Sequence, residues 1–153
     1  MTHPLVETWN INARIHAYIL DTLPPEALAS IPQGKGRSVA EAFAHVHNVR
    51  LMWLKVAAPD LLAGLSKLEK GAVDKKALLK VLSTSQAAIA ALITKSVADG
   101  GKVKGFKPHV EAFVGYLISH ESHHRGQIAL ALKEAGHALD KKTSYGIWEW
   151  GVR

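Results

Sequence analysis

Cysteine is missing altogether from the 153 residues. Its absence rules out disulfides and thiolate metal ligation, so a bound ion would have to use His, Asp or Glu. Long apolar runs are missing too. None approaches the ~20 residues that span a bilayer, and no membrane partner is expected. The opening MTHPLVETWN places Glu7 where the apolar core of a leader would run, so a cytoplasmic location is the default expectation. No segment sustains period-two alternation between turn signals, which argues against a sheet. No internal repeat and no low-complexity tract is visible.

What is present is a globular composition, 48% hydrophobic, with nine histidines. The length suits one compact domain over 1–153 with a core of its own. The net charge of +6 permits nucleic-acid or anion binding without demonstrating it. The lysines are spread over 67–80, 95–107 and 133–142, near helix ends and loops, so they read as a solvated surface. A small-molecule substrate is expected, and no nucleic acid.

Punctuation divides the chain into four long helical segments. The first covers about 4–23, with Pro4 in its opening turn and Pro24-Pro25 as its stop. A linker with Pro32, Gly34 and Gly36 follows. Ser38 and Glu41 then form a capping box for a second helix running to about Ala57, before Pro59. A short helical turn is expected within 60–68. Asp74 caps a third helix of about 75–98 that ends at Asp99-Gly100-Gly101. Pro108 suits the first turn of a fourth helix of about 108–135, with Gly136 as its C′ residue. The tail, HALDKKTSYGIWEWGVR, is not obviously helical. It holds two of the four tryptophans and is expected to pack on the bundle or on a second subunit. The expected fold is all-α: an antiparallel four-helix bundle with a short aromatic tail.

The fourth segment contains HESHHRGQ at 120–127. His120, Glu121 and His124 spell H-E-x-x-H, the pattern that puts two zinc ligands and a general base on one helix of a metalloprotease. At about 100° per residue, His124 lies some 40° from His120. Phe113, Leu117, Gln127, Ile128 and Ala131 fall within about 80° of it. Both histidines are thus placed in the middle of the buried stripe, with His123 and Tyr116 at its edge and Glu121 flanking it. On the second helix, Val49, Met52 and Val56 share a face with His45, beside Ala42 and Trp53. His47 points nearly the opposite way, about 160° round. Leu5, Trp9, Asn12, His16, Leu20 and Leu23 form a similar stripe on the first helix.

Histidines on converging apolar faces invite a common partner, since an unpaired buried imidazole costs about 1–3 kcal/mol. His120 and His124 at i and i+4, closed by His45 from a facing helix, would make a three-nitrogen cap with open positions for water or substrate. His16, Asn12 and Gln127 are candidates for a pocket around it. Gln127 sits where it can orient a ligand at the open position. His47, His109 and His137 are expected at the surface and Met52 and Trp53 in the core. Arg125 is expected in a salt bridge or at a helix terminus. A zinc protease fits poorly. Glu134 is too far along the helix, some 21 Å beyond His120. Glu149 lies in the tail, and no strand is available to align a peptide.

The stretches ETWNINARI, SVAEAFAHVHNVRLMWL, HESHHRGQIALAL and YGIWEWG, spread over nearly the whole chain, resemble the DinB-like superfamily. The fourth-helix His-x-x-x-His-Arg-Gly-Gln is the most specific match, and a His some eight residues before Trp53 is the second anchor. The resemblance implies a four-helix bundle holding a divalent metal, commonly nickel, zinc, iron or manganese, on His45, His120 and His124. It also implies a helix-one Asn at Asn12, a tendency to form homodimers, and in some members transfer or isomerisation chemistry with a thiol cofactor such as mycothiol or bacillithiol.

The function expected is that of a divalent-metal-dependent enzyme, a thiol-dependent S-transferase or a related transferase or hydrolase. Glu121, His123 and His16 are the candidates for proton transfer, with Gln127 beside them. A non-catalytic metal-binding or interaction bundle is the alternative. A nucleic-acid binder using the positive charge would reveal itself by salt-dependent DNA affinity.

Overall fold

The computed structural model describes residues 1–33, 35–71 and 73–153. Gly34, read above as a linker signal, lies outside them, as does Ala72. Four long helices carry the chain: α1 Pro4–Thr22, α2 Val39–Ala57, α3 Lys75–Ala98 and α4 Val110–Glu134. A short α5, Lys141–Gly146, and 3₁₀ turns at Pro25–Ala29, Pro59–Leu62 and Trp150–Val152 complete the regular structure. Among the described residues there is no strand, and an isolated bridge, Val103 to Phe106, lies in the loop before α4.

The ends follow from local chemistry. Ser38 accepts from the Glu41 amide at 3.1 Å while Glu41 Oε2 accepts from the Ser38 amide at 3.0 Å, a reciprocal capping box at α2. Asp74 Oδ1 accepts from the Ala77 amide at 2.7 Å and starts α3. At the end of α4, Gly136 takes φ +83°, and the His137 amide reaches back to the Leu132 carbonyl at 2.8 Å. That left-handed turn is open to glycine at little steric cost. Two expectations need correction. Pro108 lies before the first turn of α4, which opens at Val110, and His109 is the N-cap, its Nδ1 accepting from the Ala112 amide at 3.2 Å. The tail contains a helix after all, because Asp140 Oδ1 takes the Thr143 amide at 2.7 Å and nucleates α5.

Two apolar clusters fix the helix directions. One joins Val6, Trp9 and Ala13 of α1 to Leu54 of α2, Ile89 to Ile93 of α3 and Phe113 to Leu117 of α4. The other joins Ile15 to Leu23, Val39 to Val46, Leu78 with Leu82, and Ile128 to Leu132. Thus α1 and α4 run one way while α2 and α3 run the other. Antiparallel packing holds across α1/α3 and α2/α4, and the consecutive helices α2 and α3 are parallel. The described residues between α2 and α3, 58–71 and 73–74, therefore return the length of the bundle as a strap over α2. By length and composition alone α3 could cross a membrane, an apolar stretch not anticipated above; here it packs against α1 and α2.

The strap explains a second correction. His47 is fully buried, not at the surface, because its Nε2 meets the Ser66 carbonyl at 2.8 Å. Asn48 pins the next residues, donating to the Leu68 carbonyl and accepting from the Leu68 amide, both at 2.9 Å. The buried face of α2 is accordingly Phe43, Val46, His47, Arg50 and Leu54, whereas Met52 is 51% exposed and Trp53 half-buried. In the tail, Ile147 and Trp150 pack on the core, while Tyr145 and Trp148 stay exposed.

Candidate metal centre

The capping box sets the start of α2 and thereby the rotation of His45. On α4 the rotation is set by a residue inside the motif itself. Glu121 is not at the flank of the buried stripe but in its middle, 1% exposed. Arg50 meets it bidentately, Nε to Oε1 at 2.6 Å and Nη2 to Oε2 at 3.0 Å. Asn12 Nδ2 and His16 Nε2 reach Oε2 at 2.9 and 2.8 Å. Arg50 also donates to the Leu82 carbonyl and to Ser85 Oγ, and its guanidinium lies 4.9 Å from the centre of the Trp9 ring. Arg125 donates to Asn12 Oδ1 at 2.8 Å. A hydrophobic wheel cannot place such a carboxylate, since burial becomes tolerable only through these partners.

With Glu121 turned inward, His120 and His124 turn towards α2 and meet His45. One ring nitrogen from each lies within 4.8 Å of the others. Ring centroids are 4.6 Å apart for His45 and His124, 4.6 Å for His120 and His124, and 5.3 Å for His45 and His120. The Nε2 atoms of His120 and His124 are 3.2 Å apart, close to the separation of about 3.3 Å that tetrahedral bonds of about 2.0–2.1 Å impose. His120 and His45 are half-buried and His124 is 6% exposed. The cluster thus sits on the rim of the bundle, not at its centre.

The protonation states suit ligation. Burial, the repulsion of Arg37 and the other two imidazoles bring His45 down to about 4. His120 and His124 are lowered too, first by burial. Neutral rings with free lone pairs are the form a divalent cation takes. Gln127 supplies the orientation: its Oε1 accepts from His124 Nδ1 at 2.9 Å, which leaves His124 Nε2 as the lone pair facing the cluster. Its Nε2 lies 3.2 Å from His123 Nε2. Among the described residues His120 Nδ1 is buried without a partner, and that ring's polar engagement is its Nε2.

The four residues read as candidates for chemistry therefore separate. His123 and Gln127, both exposed, border the cluster. Glu121 and His16 are committed to the core network instead. His16 is brought to about 4, mainly by burial against the opposing pull of Glu121, and neutral His16 donates its Nε2–H to Oε2. Glu121 is held well below the usual carboxylate range, burial being outweighed by Arg50 and His16. Sequence reasoning missed Arg50. Its signal was a lone cation between Val49 and Leu51 in an otherwise apolar stretch of α2. Arg37, whose charge is felt at all three imidazoles, carried no such mark.

A helical bundle with a three-histidine cluster spanning two of its helices defines a metal-binding class of all-α protein. The DinB family model matches residues 1–145, and the chain belongs to the DinB family. No curated protein and no solved structure is matched by the chain.

Proposed function

We propose that this protein is a divalent-metal-dependent enzyme acting on a small molecule, by thiol-dependent S-transfer or a related transfer or hydrolysis. The observation that carries the reading is the convergence of three neutral imidazoles, His45, His120 and His124, at the rim of the bundle. Among the described residues no acidic side chain belongs to the cluster, and the chain has no thiol, so the histidines leave the ion's full charge available to a ligand. Nickel, zinc, iron and manganese all accept imidazole nitrogen. When bound, such an ion supplies Lewis acidity that favours deprotonation of water or a thiol near neutral pH. His45, His120 and His124 would hold it, Gln127 fixes the tautomer of His124, and exposed His123 is the titratable side chain placed to exchange a proton beside the cluster. The thiol, if one takes part, would be a low-molecular-weight compound, since the chain has none of its own.

A second reading, a non-catalytic metal-binding bundle, draws support from Glu121 and His16. Both acid–base candidates are spent in the core, which leaves His123 with little help. One experiment separates the two. The purified protein is titrated with nickel, zinc, iron(II) and manganese, then assayed for thiol transfer and hydrolysis beside His124→Ala. Turnover that is lost together with metal in the variant supports the enzyme. Tight metal binding with no turnover on any thiol or hydrolytic substrate favours the bundle.

A further inference from the structure

His45 has a second side. It forms part of the wall of a cleft of about 740 Å³ between the first half of α2 and the strap. Arg37, immediately before the N-cap of α2, and Lys67 and Lys70 of the strap also line it. All three are exposed, and none takes part in a hydrogen bond or ion pair among the described residues. Of the two carboxylates in the cleft, Glu41 is occupied with the Ser38 amide in the capping box, which leaves Glu69 against three cations. The strap is held in register here by the paired Asn48–Leu68 hydrogen bonds, so Lys67 and Lys70 are carried by an anchored segment.

Uncompensated cations beside a site built for another cation repel one another and the ion, and an anion offsets that repulsion. Scattered surface lysines keep apart; here they line one cleft together with a candidate ligand. We propose that this cleft is a subsite for an oxyanion, carboxylate or phosphate, carried by the small molecule that engages the three histidines, with Arg37 as its principal contact. Arg37 offers a planar fork of donors that matches either group, and Lys67 and Lys70 add charge. This deepens the reading of the site as a small-molecule centre and rests on it.

The test uses inorganic phosphate and succinate as probes. Each is titrated into the ¹⁵N-labelled full chain, metal-free and zinc-loaded, with amide shifts followed by NMR. Saturable shifts centred on Arg37, Asn48, Lys67 and Lys70 are expected. Arg37→Gln and the pair Lys67→Gln/Lys70→Gln should each weaken binding at least fivefold, with thermal stability and zinc affinity not reduced. Lys95→Gln/Lys104→Gln, in the last turn of α3 and in the loop before α4, should change nothing. Whichever probe binds more tightly names the oxyanion. The proposal is overturned if neither probe saturates, or if Arg37→Gln binds both as well as the wild type. Zinc affinity measured on the same samples separates the two ideas. Anion binding without zinc binding removes the metal reading and keeps the subsite; zinc binding without anion binding does the reverse.

Discussion

Arg50 of α2 and Glu121 of α4 meet at 2.6 Å inside the bundle, each side chain 1% exposed. The pair ties together the two helices that share the histidine cluster. Glu121 stands next to His120 and three residues before His124. At about 100° per residue, fixing one side chain inward dictates where its neighbours face. The ion pair is thus both a fully buried electrostatic interaction and the brace that presents the cluster.

Removing one partner should therefore be costly. Glu121→Gln leaves the Arg50 charge uncompensated in the core and should lower stability by about 3–5 kcal/mol, read as a shift of the urea midpoint. Replacing both, Arg50→Met with Glu121→Leu, should recover much of that loss. If the brace also positions the cluster, the double variant will fold yet bind zinc more weakly than the wild type. Unchanged zinc affinity in a folded double variant would sink that positioning role.

His16 gives the fold a pH dependence with a defined sign. Its folded value is depressed from 6.5 to about 4, chiefly by burial, with Glu121 pulling the other way and Arg125 and Arg50 adding to the fall. A base that resists protonation in the folded state contributes stability that is fully present above 6.5 and is lost as pH falls towards 4. The gap corresponds to at most about 3 kcal/mol. Metal-free protein should accordingly lose stability between pH 7 and 5. His16→Gln, which keeps a donor for Glu121, should flatten that slope by about one proton. An identical slope in the variant would show that His16 is not the group responsible.

Three helix ends were legible in the sequence, through the Ser38 and Asp74 side chains and the left-handed turn at Gly136, whereas the caps at His109 and Asp140 were not. The cluster was legible because histidines four residues apart on one helix share a face whatever the tertiary structure. Burial around it was not. The wheel set Glu121 at the flank of the stripe and gave Arg50 no role, whereas each makes the burial of the other tolerable. His47 was sent outward because the strap that covers it lies some twenty residues on, where no periodicity announces it. Met52, by contrast, lies on the same stripe as His45, and that stripe borders solvent.

The tail carries the expectation of self-association. Ile147 and Trp150 are used within the chain, but Trp148 is 74% and Tyr145 64% exposed. Aromatic residues left open on a surface are what protein interfaces gather. Gly146 anchors this segment, since a Cβ there would stand 2.1 Å from the Tyr18 hydroxyl. We propose a homodimer formed through the tail. Light scattering should give twice the 16.6 kDa chain mass, and Tyr145→Ala with Trp148→Ala should return it to the monomer. A wild-type monomer at micromolar concentration would refute the assembly.

Gln127 offers the sharpest test of the metal centre. From its place on the helix it was expected to orient a ligand at the open position. Its carboxamide is instead engaged on both sides, Oε1 with His124 Nδ1 at 2.9 Å and Nε2 with His123 Nε2 at 3.2 Å. Holding Nδ1–H keeps the His124 lone pair on Nε2, facing His120 and His45. Without that bond the ring is free to rotate or to adopt the other tautomer. Gln127→Ala should then weaken metal affinity about 10–100-fold, the usual cost of losing a partner that orients a ligand. His124→Ala should abolish binding. Because Gln127 is exposed, the melting temperature of metal-free Gln127→Ala should match the wild type, which separates a loss of orientation from a loss of fold. Competition against a chromophoric chelator reads the affinity directly. Wild-type affinity in Gln127→Ala would mean that the cluster needs no such guide, and that Gln127 acts, if at all, on the ligand and not on the histidine.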